Sequence, residues 1–191
     1  VQKSHREKYN LDTLLNLLTP GCKVVETDGL TEGAACTALL AKEFINDDNP
    51  LFFANSDQFV EWDSNEFMYK MQETDADGGI VLFKAHDPKW SFVGLDKDRN
   101  VTRVVEKQVI SNEATVGVYN FSRGADFVSA ADAMIGKNLR VNNEFYVAPV
   151  YNEMIAIGKM IGFFNIGTLG NGMHGLGTPE DLGIFLKRNI Q

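Results

Sequence analysis

Cysteine is almost absent from this 191-residue chain: Cys22 and Cys36 are too few for a disulfide framework and lack metal-ligand spacing, so both read as structural thiols. Histidine is nearly as scarce. His5, His86 and His174 lie far apart with no H-x-x-x-H pattern, which argues against a zinc site and leaves them as ordinary polar surface residues. There is no G-x-S-x-G elbow and no G-x-x-x-x-G-K-[ST] loop, which disfavours serine hydrolases and P-loop NTPases. No apolar run is long enough to span a bilayer and no signal-peptide pattern is present, so a soluble, cytoplasmic protein is expected. Basic residues are in deficit, 18 against 26 acidic, for a formal charge of −8. Without a Lys/Arg stripe, nucleic acid is not the expected partner, although a nucleotide can still bind a locally basic or metal-assisted site.

What is present suits one substantial core. With 44% hydrophobic and 23% charged residues and no repeat or low-complexity linker, residues 1–191 are expected to form a single domain. Leucines from Leu11 to Leu18 recur at helical spacing, and Pro20-Gly21 stops that helix. A short strand at 23–26, a helix over 31–45, a strand at 51–54, a helix over 64–73 and a strand at 79–83 follow. Farther on, 92–95 and 101–105 read as a hairpin about the turn 96–100, and 114–121 as another strand. Helices over 124–134 and 146–157, a strand at 159–164 and a terminal helix complete the pattern. For the last helix, Thr178 is the expected N-cap, with Pro179 at the first position and acids in the first turn. Alternating strands and helices predict an α/β fold: a Rossmann-like, three-layer α/β/α arrangement around a mixed, mostly parallel sheet.

The run Leu51-Phe52-Phe53-Ala54 breaks off at Asn55-Ser56-Asp57-Gln58. In an open α/β sheet ligands collect outside the carboxyl ends of strands, so Asp57 stands where a metal-bound phosphate would sit; an Asx-type turn closing the strand is the other reading. The polar stretch Asp96–Asn100 imitates the start of a calcium loop, but Val101 falls where glycine is required and Lys107 where a bidentate Glu belongs. It is a hairpin turn.

Four segments, in order, carry a resemblance: Thr31-Glu32-Gly33-Ala34-Ala35 opening a helix, Ala54–Gln58 ending a strand, Val105-Glu106-Lys107 followed by Val116-Gly117-Val118-Tyr119, and Gly177-Thr178-Pro179-Glu180-Asp181-Leu182. Together they resemble the nucleotidyltransferases, in particular the sugar-phosphate nucleotidylyltransferases and their capsule-biosynthesis relatives, whose fold is of the nucleotide-diphospho-sugar transferase type. The resemblance implies nucleotide binding by Thr31, Glu32, Gly33, Asn55 and Ser56, with Gly33 letting the base approach the backbone. It implies Asp57 as the catalytic, Mg²⁺-binding aspartate. Glu106, Lys107 and Gly117 would line the acceptor pocket, and Asn143 and Glu144 match more loosely as further acceptor contacts. The partners would be an NTP and a small phosphorylated acceptor. Members often form homo-oligomers, though no segment here marks an interface.

The chemistry implied is attack of an acceptor phosphate on the α-phosphorus of the NTP, with loss of pyrophosphate, in the making of surface polysaccharide precursors. A phosphate is already nucleophilic at neutral pH, so no general base is needed and a missing histidine or serine triad counts for little. Two departures stand out. The family's N-terminal Gly-rich loop with its Arg, and the following Pro-Lys, have no match; the resemblance therefore implies an incomplete N-terminus, short of a β-loop-α-β unit of about 50 residues. Gly175 also falls where these proteins usually carry a second metal-binding acid, and Glu180 and Asp181 read as helix-cap acids rather than substitutes. The alternatives are an inactive nucleotide or sugar-phosphate binding module of the same fold, and a nucleotide-sugar glycosyltransferase. The latter would normally show Asp-x-Asp where Ser56-Asp57-Gln58 has one acid.

Overall fold

The computed structural model describes residues 1–188. In chain order the helices are α1 (Lys3–Tyr9), α2 (Leu11–Leu18), α3 (Ala34–Leu39), α4 (Lys42–Ile45), α5 (Ser64–Glu73), α6 (Gly124–Gly136), α7 (Val150–Ala156) and α8 (Pro179–Arg188). The strands are β1 (Leu51–Ala54), β2 (Gln58–Val60), β3 (Gly78–Lys84), β4 (Ser91–Leu95), β5 (Val101–Glu106), β6 (Glu113–Phe121), β7 (Ile161–Leu169) and β8 (Gly172–Gly175). They form one mixed sheet in the order β2-β8-β7-β3-β6-β4-β5, with β1 also paired to β6. β3 pairs parallel with β7, and β7 with β8, while the other pairs run antiparallel.

Both faces are covered because the central strands alternate two apolar sets. Ile80 and Leu82 of β3, with Tyr119 and Phe121 of β6, pack under Phe127 and Met134 of α6 and Tyr151 and Met154 of α7. Val81, Phe83, Val116 and Val118 point the other way, against Phe67 and Met71 of α5. This gives the three-layer α/β/α architecture. Tyr151 ties the first layer down: its ring stacks on Phe121 with centroids 4.6 Å apart, and its hydroxyl donates to the carbonyls of Gly79 (3.0 Å) and Asn120 (2.8 Å). At the sheet edge the Asn152 amide donates to Val104 O and accepts from Val104 N, each at 2.8 Å. That cap protects β5 from pairing with another chain.

Several local expectations need correction. Residues 23–26 are not a strand; they have no ladder partner, and only Thr27 forms a bridge, to Gln2. The expected 31–45 helix starts only at Ala34, because Gly33 has φ +124° and ψ 176°, outside helical space, and a turn at 40–41 divides it into two short helices. The 146–157 helix begins only at Val150, after an irregular stretch that contributes to the site. The polar N-terminal stretch is helical, as α1. The terminal helix is as expected: it starts at Pro179, with Asp181 N donating to Thr178 Oγ1 at 3.1 Å. Among the described residues, no helix is long and apolar enough to cross a membrane.

Candidate active site

A cavity of about 640 Å³ opens where six stretches of the chain meet. Its walls are the start of α3, the end of β1 with Asn55, the β4–β5 hairpin ends at Lys89–Ser91 and Glu106–Lys107, and the stretch Tyr146–Ala148, over a floor formed by β6.

The hairpin places the charged groups. Its turn is fixed by the Asp96 carboxylate, which accepts from Asp98 N (2.9 Å) and Asn100 N (2.8 Å); this register sets Ser91 opposite Glu106. The Ser91 hydroxyl donates to the Glu106 carboxylate, which is only 8% exposed. Burial pushes the Glu106 carboxyl above its ordinary value, opposed by the Ser91 bond and the Lys107 charge. Next in sequence, Lys107 lies in left-handed space at φ +55°, so the chain turns and its side chain leaves the strand direction. Its ammonium donates to Tyr146 Oη at 2.6 Å and lies 4.7 Å from that ring's centroid, and the bond raises the Lys107 pKa. Beneath them Tyr119, buried and hydrogen-bonded to Thr115 at 2.9 Å, is pushed up to about 12 by desolvation and stays a neutral phenol.

Two glycines shape the walls. Gly117 has φ +88° at a register shift of β6 against β3, and a Cβ there would lie 2.3 Å from Asn55 Nδ2. Its missing side chain lets Asn55 settle on the floor, with Asn55 N donating to Gly117 O at 3.1 Å. A Cβ on Gly33 would lie 2.5 Å from both N and O of Phe145, so two backbones touch at that seam.

Of the residues singled out in the sequence, Asn55, Glu106, Lys107 and Gly117 line the cavity. Thr31 and Gly33 sit behind its wall: Thr31 Oγ1 donates to Gly33 O at 3.0 Å and shares a hydrogen bond with Thr37 Oγ1 at 2.5 Å. Glu32 is turned to an ion pair with Arg140. Ser56 and Asp57 occupy the exposed bend between β1 and β2, outside the lining. Asn143 is a left-handed turn residue at φ +65°, also outside it, and Glu144 accepts from the Tyr146 hydroxyl. Lys89, Trp90, Ser91, Tyr119 and Tyr146 line the cavity without having been singled out by sequence. Ser91 and Tyr119 were reachable from it, one as the cross-strand partner of Glu106, the other two residues along β6 from Gly117 and hence on the same face.

The metal question turns on Asp57. Its carbonyl accepts from Leu176 N at 2.8 Å, and its carboxylate lies against Gly177, where a Cβ would be 2.6 Å from Oδ2. Space at Gly175 is bounded by the Asp181 carboxylate, 3.7 Å from a Cβ built there. Asp181 is held by Thr178, whose hydroxyl donates to it at 2.8 Å, so it serves as a helix-cap acid. Among the described residues no group of three or more His, Cys, Asp or Glu would hold a metal. A lone exposed carboxylate still fits Mg²⁺, which takes one or two protein oxygens and completes its octahedron with water and phosphate. His174 is not a surface residue as expected: it is 6% exposed, with Nε2 3.0 Å from a Glu61 carboxylate oxygen.

The sequence profile of the nucleotidyl transferase family matches residues 9–141. In fold the chain is similar to a nucleoside-diphosphate-sugar pyrophosphorylase from Vibrio cholerae RC9, with a TM-score of 0.78 at 24% identity, covering 98% of this chain and 78% of that one. It is also similar to the inositol-1-phosphate CTP transferase from T. maritima (TM-score 0.71, 16% identity, 98% of this chain and 72% of that one). A UDP-glucose pyrophosphorylase in complex with UDP-glucose matches at TM-score 0.67 and 15% identity, over 98% of this chain and 75% of that one. No curated protein sequence matches the chain.

Proposed function

The chain belongs to the nucleotidyl transferase family, whose members are enzymes, and we propose that it joins the nucleotidyl group of an NTP to a small phosphorylated acceptor with release of pyrophosphate. The observation that carries this reading is the pairing of Glu106 and Lys107 on one cavity: a buried carboxylate to accept from acceptor hydroxyls and an ammonium to meet its phosphate. The acceptor phosphate attacks the α-phosphorus in line, and pyrophosphate leaves. Positioning and charge neutralisation supply most of the rate, so the chain needs no general base. In this reading Thr31, Glu32, Gly33, Asn55 and Ser56 serve the nucleotide, and Gly117 and Asn143 would serve the acceptor. Asp57 would hold Mg²⁺, which when bound neutralises phosphate charge and orients the triphosphate.

Similar structures are named for sugar nucleotides and for inositol 1-phosphate, which supports a sugar or polyol phosphate as the acceptor. We assign the product to surface polysaccharide precursors and the reaction to the cytoplasm, where NTPs are available. A panel of common NTPs against sugar phosphates and other small phosphates, read by pyrophosphate release, tests the reaction. Asp57→Asn should lower release by about a hundredfold or more, the scale of losing one preorganised electrostatic contact, with the circular dichroism spectrum unchanged. No release across the panel, or an undiminished rate in Asp57→Asn, rejects the assignment.

A further inference from the structure

We infer that Tyr146 is a positioning residue that aims the Lys107 ammonium into the cavity, and that Glu144 acts by holding Tyr146 rather than by touching the acceptor. The inference rests on the reading above, in which Lys107 meets the acceptor phosphate.

A lysine head on a flexible four-carbon stem prefers water, and Lys107 is an exposed residue. Three features oppose that drift. The left-handed backbone at Lys107 sets the direction of its stem, Lys107 N donates to Trp90 O at 3.1 Å, and the ammonium is bound at its tip by Tyr146. Tyr146 supplies both a ring face and a hydroxyl oxygen, and comes from a segment 39 residues away. The phenol is itself oriented: its O–H donates to Glu144, two residues back, which turns the oxygen lone pairs toward Lys107. The result is a relay from carboxylate to phenol to ammonium. An ammonium has three N–H donors, and Tyr146 uses one, which leaves donors for a phosphate oxygen.

The test compares wild type, Tyr146→Phe, Lys107→Met and the double variant by calorimetric titration with glucose 1-phosphate and with inorganic phosphate as a charge-only probe. Tyr146→Phe keeps the ring and removes only the hydroxyl. It should weaken glucose 1-phosphate about fivefold, the equivalent of one exposed hydrogen bond, and inorganic phosphate by a similar factor. In the Lys107→Met background the same change should have no further effect. Glu144→Gln should weaken both probes by less than Tyr146→Phe. Unchanged affinity in Tyr146→Phe, or an equal loss with and without Lys107, overturns the inference, since a merely structural tyrosine would not depend on Lys107. If wild type binds neither probe and releases no pyrophosphate, the functional reading fails separately. The positioning claim is then decided by NMR on lysine labelled with ¹³C at Cε, the Lys107 signal being the one lost in Lys107→Met. Its titration should move to lower pH in Tyr146→Phe, and an unmoved midpoint overturns the claim.

Discussion

Replacing Gly33 by alanine separates two reasons for glycine at the mouth of α3. If the missing side chain serves only a nucleobase, the substitution should raise the KM for NTP and leave the fold intact. The geometry argues for a structural demand first. Gly33 sits at φ +124° and ψ 176°, a region essentially closed to other residues, and its Cβ would meet Phe145 N and O at 2.5 Å. The conformation alone costs an alanine about 1–3 kcal/mol. Relieving the clash must pull apart the backbones joined by Phe145 N to Glu32 O at 2.7 Å and Ala35 N to Phe145 O at 2.9 Å. Those bonds add about 1 kcal/mol each, for a total loss of about 3–5 kcal/mol out of a typical 5–15. Urea unfolding with linear extrapolation measures it. Gly136→Ala in α6, where a Cβ meets nothing within 4 Å, is the control and should change stability by no more than about 1 kcal/mol. A Gly33→Ala loss below about 1 kcal/mol, with weakened NTP binding, would refute the seam argument.

Two further outcomes follow from the same geometry. Asn152→Ala should destabilise by about 2 kcal/mol, because the N–H and C=O of Val104 both lose their partner at a partly buried strand edge; denaturant unfolding showing less than about 0.5 kcal/mol would count against the edge-cap role. Burial holds the proton of Glu106 to higher pH in the folded chain than in the unfolded one, so stability from this group is full below the ordinary carboxylate range and fades as pH rises through the raised value. Glu106→Gln removes that dependence while keeping an acceptor for Ser91, so its stability relative to wild type should grow between about pH 4 and about pH 7; a flat or falling difference contradicts the direction.

How far the sequence could be read depended on whether a residue's role was local. β3 and β6 were visible because Ile80–Phe83 and Ala114–Phe121 are apolar on both faces, the mark of a strand covered by helices on each side. The β4–β5 hairpin was visible from its polar turn, and it brought Glu106 and Lys107 to one end. β2 and β8 were missed because they are three and four residues long and stand only by pairing with each other and with β7. The late start of the expected 31–45 helix had a local sign in Gly33, but the reason Gly33 is not helical lies in Phe145, more than a hundred residues on.

The same distinction divides the site, and Glu144 illustrates it. A carboxylate beside a pattern of acceptor contacts invites a direct role when only its own segment is considered. In three dimensions one of its carboxylate oxygens accepts from the Tyr146 hydroxyl, and the oxygen of that hydroxyl faces Lys107. Neither Tyr146 nor Lys107 signals the other by spacing, since left-handed backbone at Lys107 and an irregular stretch before α7 bring them together. Ser91 illustrates the opposite case: strand alternation and a fixed turn determine its partner, so Glu106 implied Ser91 once the hairpin was recognised. Residues set by period and register can therefore be read forward from sequence, whereas those that meet through loops, as Tyr146 and Lys107 do, depend on the closed fold.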